Sequence, residues 1–291
     1  MTDPPEQPET APSPPEIDPD TPSPARIYDY WLGGSQNFAA DREAGRRAAQ
    51  AMPTLVAAIR ANRAFLRRAV HHLVGELGVT QLLDLGSGVP TVGNVHEVAR
   101  DLSDEVTVVY VDIDPVAIAH ARALLADVPR TEAILADLRS PERVLTHPVL
   151  QGALDLTQPV AVLMNAVLHF IPDSEHPGDL VRAYLQAASP GSYLALSHAA
   201  PDLDHPDEQA RMLADYQTST GVTFTNRSPE QIASWLASLE IQPPGLVTID
   251  QWRPDASTRR TQMLRTYGVV ARKPVQVCGF TPRRDPRGQI Q

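Results

Sequence analysis

Cysteine, lysine and long apolar runs are nearly missing from this sequence. Cys278 is the only cysteine in 291 residues, which excludes an intramolecular disulfide and a thiolate metal cluster and suits a reducing compartment. Lys273 is the only lysine against 24 arginines, a skew that reflects codon bias in a G+C-rich genome and carries no chemistry. No stretch approaches the roughly 18 consecutive apolar residues of a membrane span. The N-terminus is acidic and proline-rich where a secretory signal would be basic and then apolar, so a cytoplasmic protein with no membrane partner is expected. Net charge is −10, but residues 1–24 hold six acids and no Lys or Arg, so the remainder, with 29 acids against 25 bases, carries −4. That argues against nucleic acid as an obligatory partner.

What is present divides the chain into four parts. Residues 1–24 contain nine prolines and almost nothing apolar, too little to offset chain entropy, and read as a disordered tail. Residues 25–78 read as a helical lid or cap. It contains the aromatic stretch "RIYDYWLGGSQNF" and a long helix that Thr54 caps and Gly78 closes, with Leu55, Ile59, Leu66, Val70, Leu73 and Leu77 on its core face and Arg60, Arg63, Arg67 and His71 on a solvated stripe. From residue 79 to 275, "QLLDLG", "VTVVYVD", "AILAD", "PVAVLMNAVL", "GSYLALSHA", "GLVTIDQW" and "YGVVARKP" alternate with helical stretches. The pattern predicts a Rossmann-like, doubly wound α/β fold: a mostly parallel seven-stranded sheet with helices on both faces and the last two strands as an antiparallel edge hairpin. Between the fifth strand and that hairpin two helices are expected, the second opened by the S-x-x-Q capping box of Ser228 and Gln231. Residues 276–291 read as a flexible tail.

Three strand ends carry the chemistry. In "LLDLGSGVPTVGN" a strand ends at Asp84-Leu85, and Gly86 and Gly88 let backbone approach a large polar ligand. A dinucleotide fingerprint would need glycine at 91, where Thr91 stands, which disfavours a hydride-transfer cofactor. Asp112 ends the next strand, 24 residues after Gly88, placed to accept both hydroxyls of a ribose. Asp114, followed by Pro115, reads as a helix N-cap. Asp137 and Leu138 follow the third strand, the carboxylate suited to an exocyclic amine and the leucine to a purine face, with capping of a short helix as the competing role for Asp137.

Acid-x-G-x-G after strand one, an acid after strand two and Asp-Leu after strand three resemble the class I S-adenosylmethionine-dependent methyltransferases. "SPARIYDYWLGGSQNFAADREA", "NRAFLRRAV", "LDLGSGVPTVGNVHEVA", "YVDIDPVAIAHARALL" and "AVLHFIPD" resemble the blocks of an S-adenosyl methyltransferase family common in high-G+C bacteria, over about residues 22–273. The resemblance implies S-adenosyl-L-methionine at the strand C-termini. Asp84, Gly86 and Gly88 would line its methionine part, Asp112 the ribose, Asp137 and Leu138 the adenine, and Asn165 would contact the cofactor where the acceptor pocket begins. Val89-Pro90 departs from the superfamily's usual third glycine.

For a small-molecule methyl acceptor, by oxygen, nitrogen or carbon, a base is optional; His169 and His198 are the candidates, each with the rival role of a structural histidine. Tyr28, Tyr30 or Trp31 would cover the sulfonium as a lid, the alternative being a plug of Trp31, Leu32 and Phe38. "SHAAPDLDHPDE" reads as a solvated loop with no metal, and His96 and Glu97 as residues of an exposed helix face. Residues 202–227 and 252–262 are expected to shape the acceptor pocket. A non-catalytic cofactor-binding regulator and, less readily, an NAD-dependent oxidoreductase are the competing functions. Oligomeric state is not readable from these features.

Overall fold

The computed structural model describes residues 17–90, 93–255, 258 and 265–275. Most of the expected N-terminal tail, the whole 276–291 tail and much of the 252–262 loop lie outside these residues. The first described elements are three helices, α1 (Pro24–Leu32), α2 (Ala39–Ala51) and α3 (Leu55–His71). The last continues through a wide π turn, His72–Glu76, that closes with Leu77 N–H on the His72 carbonyl at 3.0 Å. Thr54 stands before α3 as expected, but its backbone is already helical and its side chain caps nothing.

The sheet then assembles from β1 (Gln81–Leu85), β2 (Thr107–Asp112), β3 (Thr131–Leu135), β4 (Ala161–Asn165), β5 (Tyr193–Ala199), β6 (Glu240–Ile241), β7 (Val247–Thr248) and β8 (Thr266–Arg272). Its order is β3-β2-β1-β4-β5-β8-β6, with β7 also on β8. The first five strands are mutually parallel, and β8 runs antiparallel to β5. Two details depart from the expected seven strands with an edge hairpin. The penultimate strand is split into β6 and β7, which pair successive parts of the same edge of β8; Pro243 and Pro244 between them cannot donate ladder bonds. Also, β8 is interior, held between β5 and this broken edge.

Both faces of the sheet are buried, so strand side chains alternate between two apolar layers. Leu83, Leu85, Val109, Val111, Val162, Met164, Leu194 and Leu196 face one core. It is covered by α6 (Pro141–Leu145), α7 (Pro148–Ala153), α8 (Pro177–Ala187) and α10 (Pro229–Trp235). Leu82, Val108, Tyr110, Ala161, Leu163 and Ala195 face the other core, against α3, α4 (Val95–Arg100) and α5 (Pro115–Leu125). A third apolar cluster joins α1, α2 and the start of α3 to α9 (Pro206–Thr220), through Ile27, Ala48, Met52, Met212 and Tyr216.

Local capping agrees with the sequence. Ser228 Oγ accepts from Gln231 N–H at 3.3 Å while Gln231 Oε1 accepts from Ser228 N–H at 2.9 Å, and Asp114 Oδ1 accepts from Val116 and Ala117 N–H at 2.8 and 3.2 Å. His96 departs from its expected exposed face. It is buried, and its backbone N–H donates to Tyr110 OH, whose hydroxyl also meets His96 Nδ1 at 2.8 Å.

The N-terminal helices are fastened to the sheet by charge. Arg26, nearly fully buried, donates from Nε to Asp41 Oδ2 at 2.9 Å and lies 3.5 Å from Asp114 Oδ2. Its other nitrogen donates to the Thr21 carbonyl at 2.5 Å. Ser23 bonds both acids, N–H to Asp41 at 2.9 Å and hydroxyl to Asp114. The end of the expected tail, residues 18–24, is therefore part of this joint. Removing one member of a buried ion pair strands its partner, at about 3–5 kcal/mol. Arg26→Ala should lower stability in urea unfolding by about 3 kcal/mol, whereas Arg46→Ala, which breaks a half-exposed pair with Glu43, should change it by less than about 1 kcal/mol.

Candidate active site

The alternation that builds the two cores also sorts the polar strand ends. Leu82, Val108, Leu163 and Ala195 face α3, so two residues further along each strand Asp84, Tyr110, Asn165 and Ser197 face it too, as does Asp112 beyond Tyr110. A row of polar side chains thus lines the C-terminal edge of β1, β2, β4 and β5 beneath the one helix that carries Asn62 and Arg63. In parallel α/β sheets this edge is where ligands bind, at the point where strand order reverses; here β1 sits between β2 and β4.

The glycine turn follows β1. Gly86 and Ser87 N–H both donate to the Val111 carbonyl, at 2.8 and 3.2 Å, latching the turn to β2. Gly86 has φ +72°, and a Cβ there would lie 2.2 Å from Val167 Cγ2, so the loop after β4 closes directly on it. Gly88 has φ +67°, and a Cβ on it would meet nothing within 4 Å. One glycine admits a protein neighbour, the other leaves open space.

Asp84 and Asp112 are buried. Burial pushes the Asp84 carboxyl up to about 7, against the pull of the Arg63 guanidinium and with Asp112 adding to the rise. Burial likewise raises Asp112 to about 6, against the backbone N–H groups of Asp114, Gly88 and Ile113; Gly88 N–H donates to Oδ2 at 2.7 Å and Asp114 N–H to Oδ1 at 2.8 Å. Each Asp112 oxygen keeps lone-pair capacity for a further donor. Two buried carboxyls that resist ionisation form a receptor for a cation or for paired hydroxyls.

Asn165 ends β4 with both amide atoms buried and without a hydrogen-bond partner, a costly state for a side chain with four bonding positions. Asp137 is partly buried and turns back on its own loop. It accepts from Arg139 N–H at 2.8 Å and pairs with the Arg139 guanidinium at 2.6 Å; burial would raise its pKa, but the Arg139 bonds prevail and lower it. Leu138 is in the core, and its carbonyl accepts from Tyr184 OH at 2.8 Å. The apolar side chain that stands open beside Asp112 is Ile113, 59% exposed, which sequence reasoning passed over.

The aromatic segment splits between the two expected roles. Tyr30 and Trp31 lean on α2, where a Cβ on Gly45 would fall 2.8 Å from Tyr30 Cδ1, and Trp31 Nε1 donates to the Gly45 carbonyl at 3.0 Å. Tyr28 instead faces α3. It accepts from Asn62 Nδ2 at 3.0 Å, and the Arg63 guanidinium lies 5.7 Å from its ring centre. Asp29 and Asn37 brace the Gly33-Gly34 turn through an Asn37 Nδ2 to Asp29 Oδ2 bond of 2.7 Å. Arg63 belongs to this rim and not to the expected solvated stripe; its neighbours Arg60, Arg67 and His71 are exposed.

Both candidate histidines are buried, His169 in the loop after β4 and His198 on β5. His198 Nδ1–H donates to the Ala199 carbonyl at 2.7 Å and Nε2 accepts from Arg227 at 3.0 Å. Burial pushes it down to about 4, and Arg227 adds to the fall. With both nitrogens engaged it has no lone pair for a substrate proton, so its arrangement is the structural one. Arg227, 1% exposed, also donates to the Leu168 and Ile171 carbonyls and pairs with Asp173 at 2.8 Å; nothing in the sequence singled it out. His169 differs, for its Nδ1 is buried without a partner. Its ring stacks on Phe224 at 4.2 Å and meets Phe170 edge-on at 4.4 Å. Burial, then the nearby His198 and Arg227, hold its pKa well below the usual imidazole value.

Strand order, glycine turn and polar rim together define a Rossmann-like nucleoside-cofactor enzyme. A family model described as S-adenosyl methyltransferase matches residues 10–274, and the chain belongs to that family. It is similar to a DUF574 family protein from Streptomyces avermitilis, with 38% identity, TM-score 0.85 and coverage of 89% of this chain and 100% of that one. It is also similar to a provisionally assigned methyltransferase of Thermobifida fusca, with 37% identity, TM-score 0.82 and coverage of 88% and 96%. No curated protein matches by sequence. The protein is an S-adenosylmethionine-dependent methyltransferase. The rim suits that cofactor: open space at Gly88, spare lone pairs on Asp112, an unpartnered Asn165 amide and two buried carboxyls. No helix among the described residues is long and apolar enough to cross a membrane.

A carboxyl whose folded pKa stands above its unfolded value favours the protonated fold, so stability of the ligand-free protein falls as pH rises from about 4 to about 7. A cationic ligand reverses the preference. Affinity for S-adenosylmethionine should rise by up to about tenfold per pH unit between pH 5 and 7 and level off above, with proton release visible in calorimetry across buffers. Asp84→Asn should reduce that release to the share of Asp112, weaken binding about tenfold and raise the ligand-free melting temperature at pH 8. An affinity flat from pH 5 to 8 would refute the assignment.

Proposed function

We propose that the methyl acceptor is a compact, mainly apolar organic molecule, received in the space bordered by the loop after β4 and the linker between α9 and α10. The observation that carries this reading is a set of buried, uncharged polar atoms without hydrogen-bond partners: the Asn165 amide, His169 Nδ1 and Asn226 Oδ1. Thr225 N–H donates to the His169 carbonyl at 2.7 Å, which brings the linker onto the loop, and Phe170, Phe224 and Tyr216 stand edge to face beside them. Such a lining rewards a small molecule with one or two hydrogen-bonding groups. Residues 202–227, expected to shape this pocket, supply Tyr216, Phe224 and Asn226.

When bound, S-adenosylmethionine supplies a methyl group on a positively charged sulfur, and in-line transfer to the acceptor leaves S-adenosylhomocysteine. The residues of this chain contribute alignment and exclusion of water. In this reading Asp112 holds the ribose hydroxyls, Asp84 with the Gly86 to Gly88 turn receives the cationic methionine end, and Ile113 covers the adenine with Asp137 at its edge. Asn165 orients cofactor against acceptor, and Tyr28 borders the site through Arg63, while Tyr30 only supports the segment. His169 Nδ1 meets the acceptor as a hydrogen-bond partner, and a base of such low pKa suits an acceptor that needs little deprotonation.

The test is S-adenosylhomocysteine formation across a panel of small phenols, amines and carbon acids, with peptides and nucleic acids alongside. His169→Ala should lower kcat/KM for the accepted compound by about a hundredfold at unchanged cofactor affinity. His198→Ala should instead reduce stability by about 1–3 kcal/mol, since it strands an Arg227 donor, and leave the pH–rate profile in place. Turnover confined to peptides or nucleic acids, or an unaltered rate in His169→Ala, would discard the proposal.

A further inference from the structure

Ala166, directly after Asn165, has φ +51°, a conformation that non-glycine residues adopt only when their surroundings impose it. Here the imposition is visible. The Ala166 N–H donates to both the carbonyl and the hydroxyl of Ser197, at 3.1 and 3.0 Å. Ser197 is the register partner of Asn165 across β4 and β5 and is fully buried. Its hydroxyl in turn donates to Asn62 Oδ1 on α3 at 2.6 Å. The other end of the same amide, Nδ2, donates to Tyr28 OH on α1 at 3.0 Å, and Tyr28 OH donates to the Ile59 carbonyl at 3.3 Å. Every donor in this chain has an acceptor, and it runs unbroken from the N-terminal helix to the residue that turns the loop after β4.

The turn it fixes has consequences on both sides. Before it, the Asn165 amide has no partner of its own, and the peptide that joins Asn165 to Ala166 is pinned by the two bonds from Ala166 N–H to Ser197. After it, Val167 packs into the space above Gly86 that a Cβ would have filled, 2.2 Å from Cγ2. The two loops that border the cofactor therefore share one hinge point, and Ser197 holds it.

We propose that Asn62 and Ser197 are positioning residues for the methyl-transfer site: through Ala166 they aim the Asn165 amide at the bound cofactor, and through Tyr28 they make that aim depend on the docked N-terminal helix. The inference rests on the reading that Asn165 faces S-adenosylmethionine. Neither residue touches the cofactor. Ser197 acts directly on a strained backbone turn, which loses the hydroxyl half of its bifurcated acceptor in Ser197→Ala and keeps the carbonyl half, and Asn62 acts by orienting that hydroxyl.

A double-mutant cycle on the full chain decides the matter, with dissociation constants for S-adenosylmethionine from titration calorimetry and melting curves recorded in parallel. Ser197→Ala and Asn165→Ala should each weaken binding about tenfold, and the double variant should bind no worse than either single one, because both remove the same aimed amide. Tyr28→Phe, which keeps the ring and drops only the hydroxyl, should weaken binding about threefold and lose that effect in the Asn165→Ala background. A purely structural Ser197 would give losses that multiply. Should Ser197→Ala not fold, the cycle between Tyr28→Phe and Asn165→Ala carries the same test. Unchanged affinity in Ser197→Ala while Asn165→Ala weakens binding, or multiplying losses, overturns the relay alone. Unchanged affinity in Asn165→Ala overturns the placement of Asn165 at the cofactor, and the relay with it.

Discussion

Withholding two carboxyl groups from water at neighbouring strand ends is the constraint on which the rest of this molecule depends. Asp84 and Asp112 are buried and reluctant to ionise, and a parallel sheet covered on both faces offers them few partners. What the fold provides is backbone N–H from Gly88 and Asp114, and the guanidinium of Arg63 nearby. The glycine turn must therefore curl back over Asp112, and α3 must lie close enough to bring Arg63 down to the rim. In the proposed reading, a positively charged ligand with a diol completes what these contacts leave undone. Binding and the relief of a poorly solvated pair are then the same event.

The N-terminal helices belong to that arrangement. Arg26 clamps Asp41 of α2 to Asp114, the residue that caps α5 two positions beyond Asp112. One acid thus closes a helix of the sheet domain and anchors the cap upon it. The aromatic side chains divide the remaining labour: Tyr30 and Trp31 seal α1 against α2, and Trp31 also stacks on Tyr216 of α9. Tyr28 alone turns inward, toward Asn62 and Arg63 of α3, so the segment packs as a plug over most of its length.

Among the site residues, legibility followed locality. The positions of Gly86, Gly88 and Asp112 were readable because each lies at the end of its strand or within three residues of it, and the Asp114 and Ser228 caps because their partners lie within three residues. Asp137 was only half readable. Its position after β3 is a matter of spacing, but the Arg139 guanidinium that occupies its carboxylate is a rotamer choice that spacing does not fix. The two histidines looked alike in sequence and differ in the folded chain, since Arg227 arrives from the α9–α10 linker to fill one nitrogen of His198 and leaves His169 Nδ1 bare. The broken edge strand escaped because Glu240–Ile241 is two residues long, too short for any periodicity.

By itself the sequence determined the order of elements, the two-faced burial of the sheet and the chemistry of its rim, because alternation, capping and glycine turns act over a few residues. Tertiary structure alone decided which polar groups meet. Ser197 and Asn62 are 135 positions apart, and Arg227 and His198 are 29 apart. Such pairs exist only once α3 has crossed the strand ends and the linker has folded beneath β5, and no local pattern encodes the distance between surfaces that packing brings together.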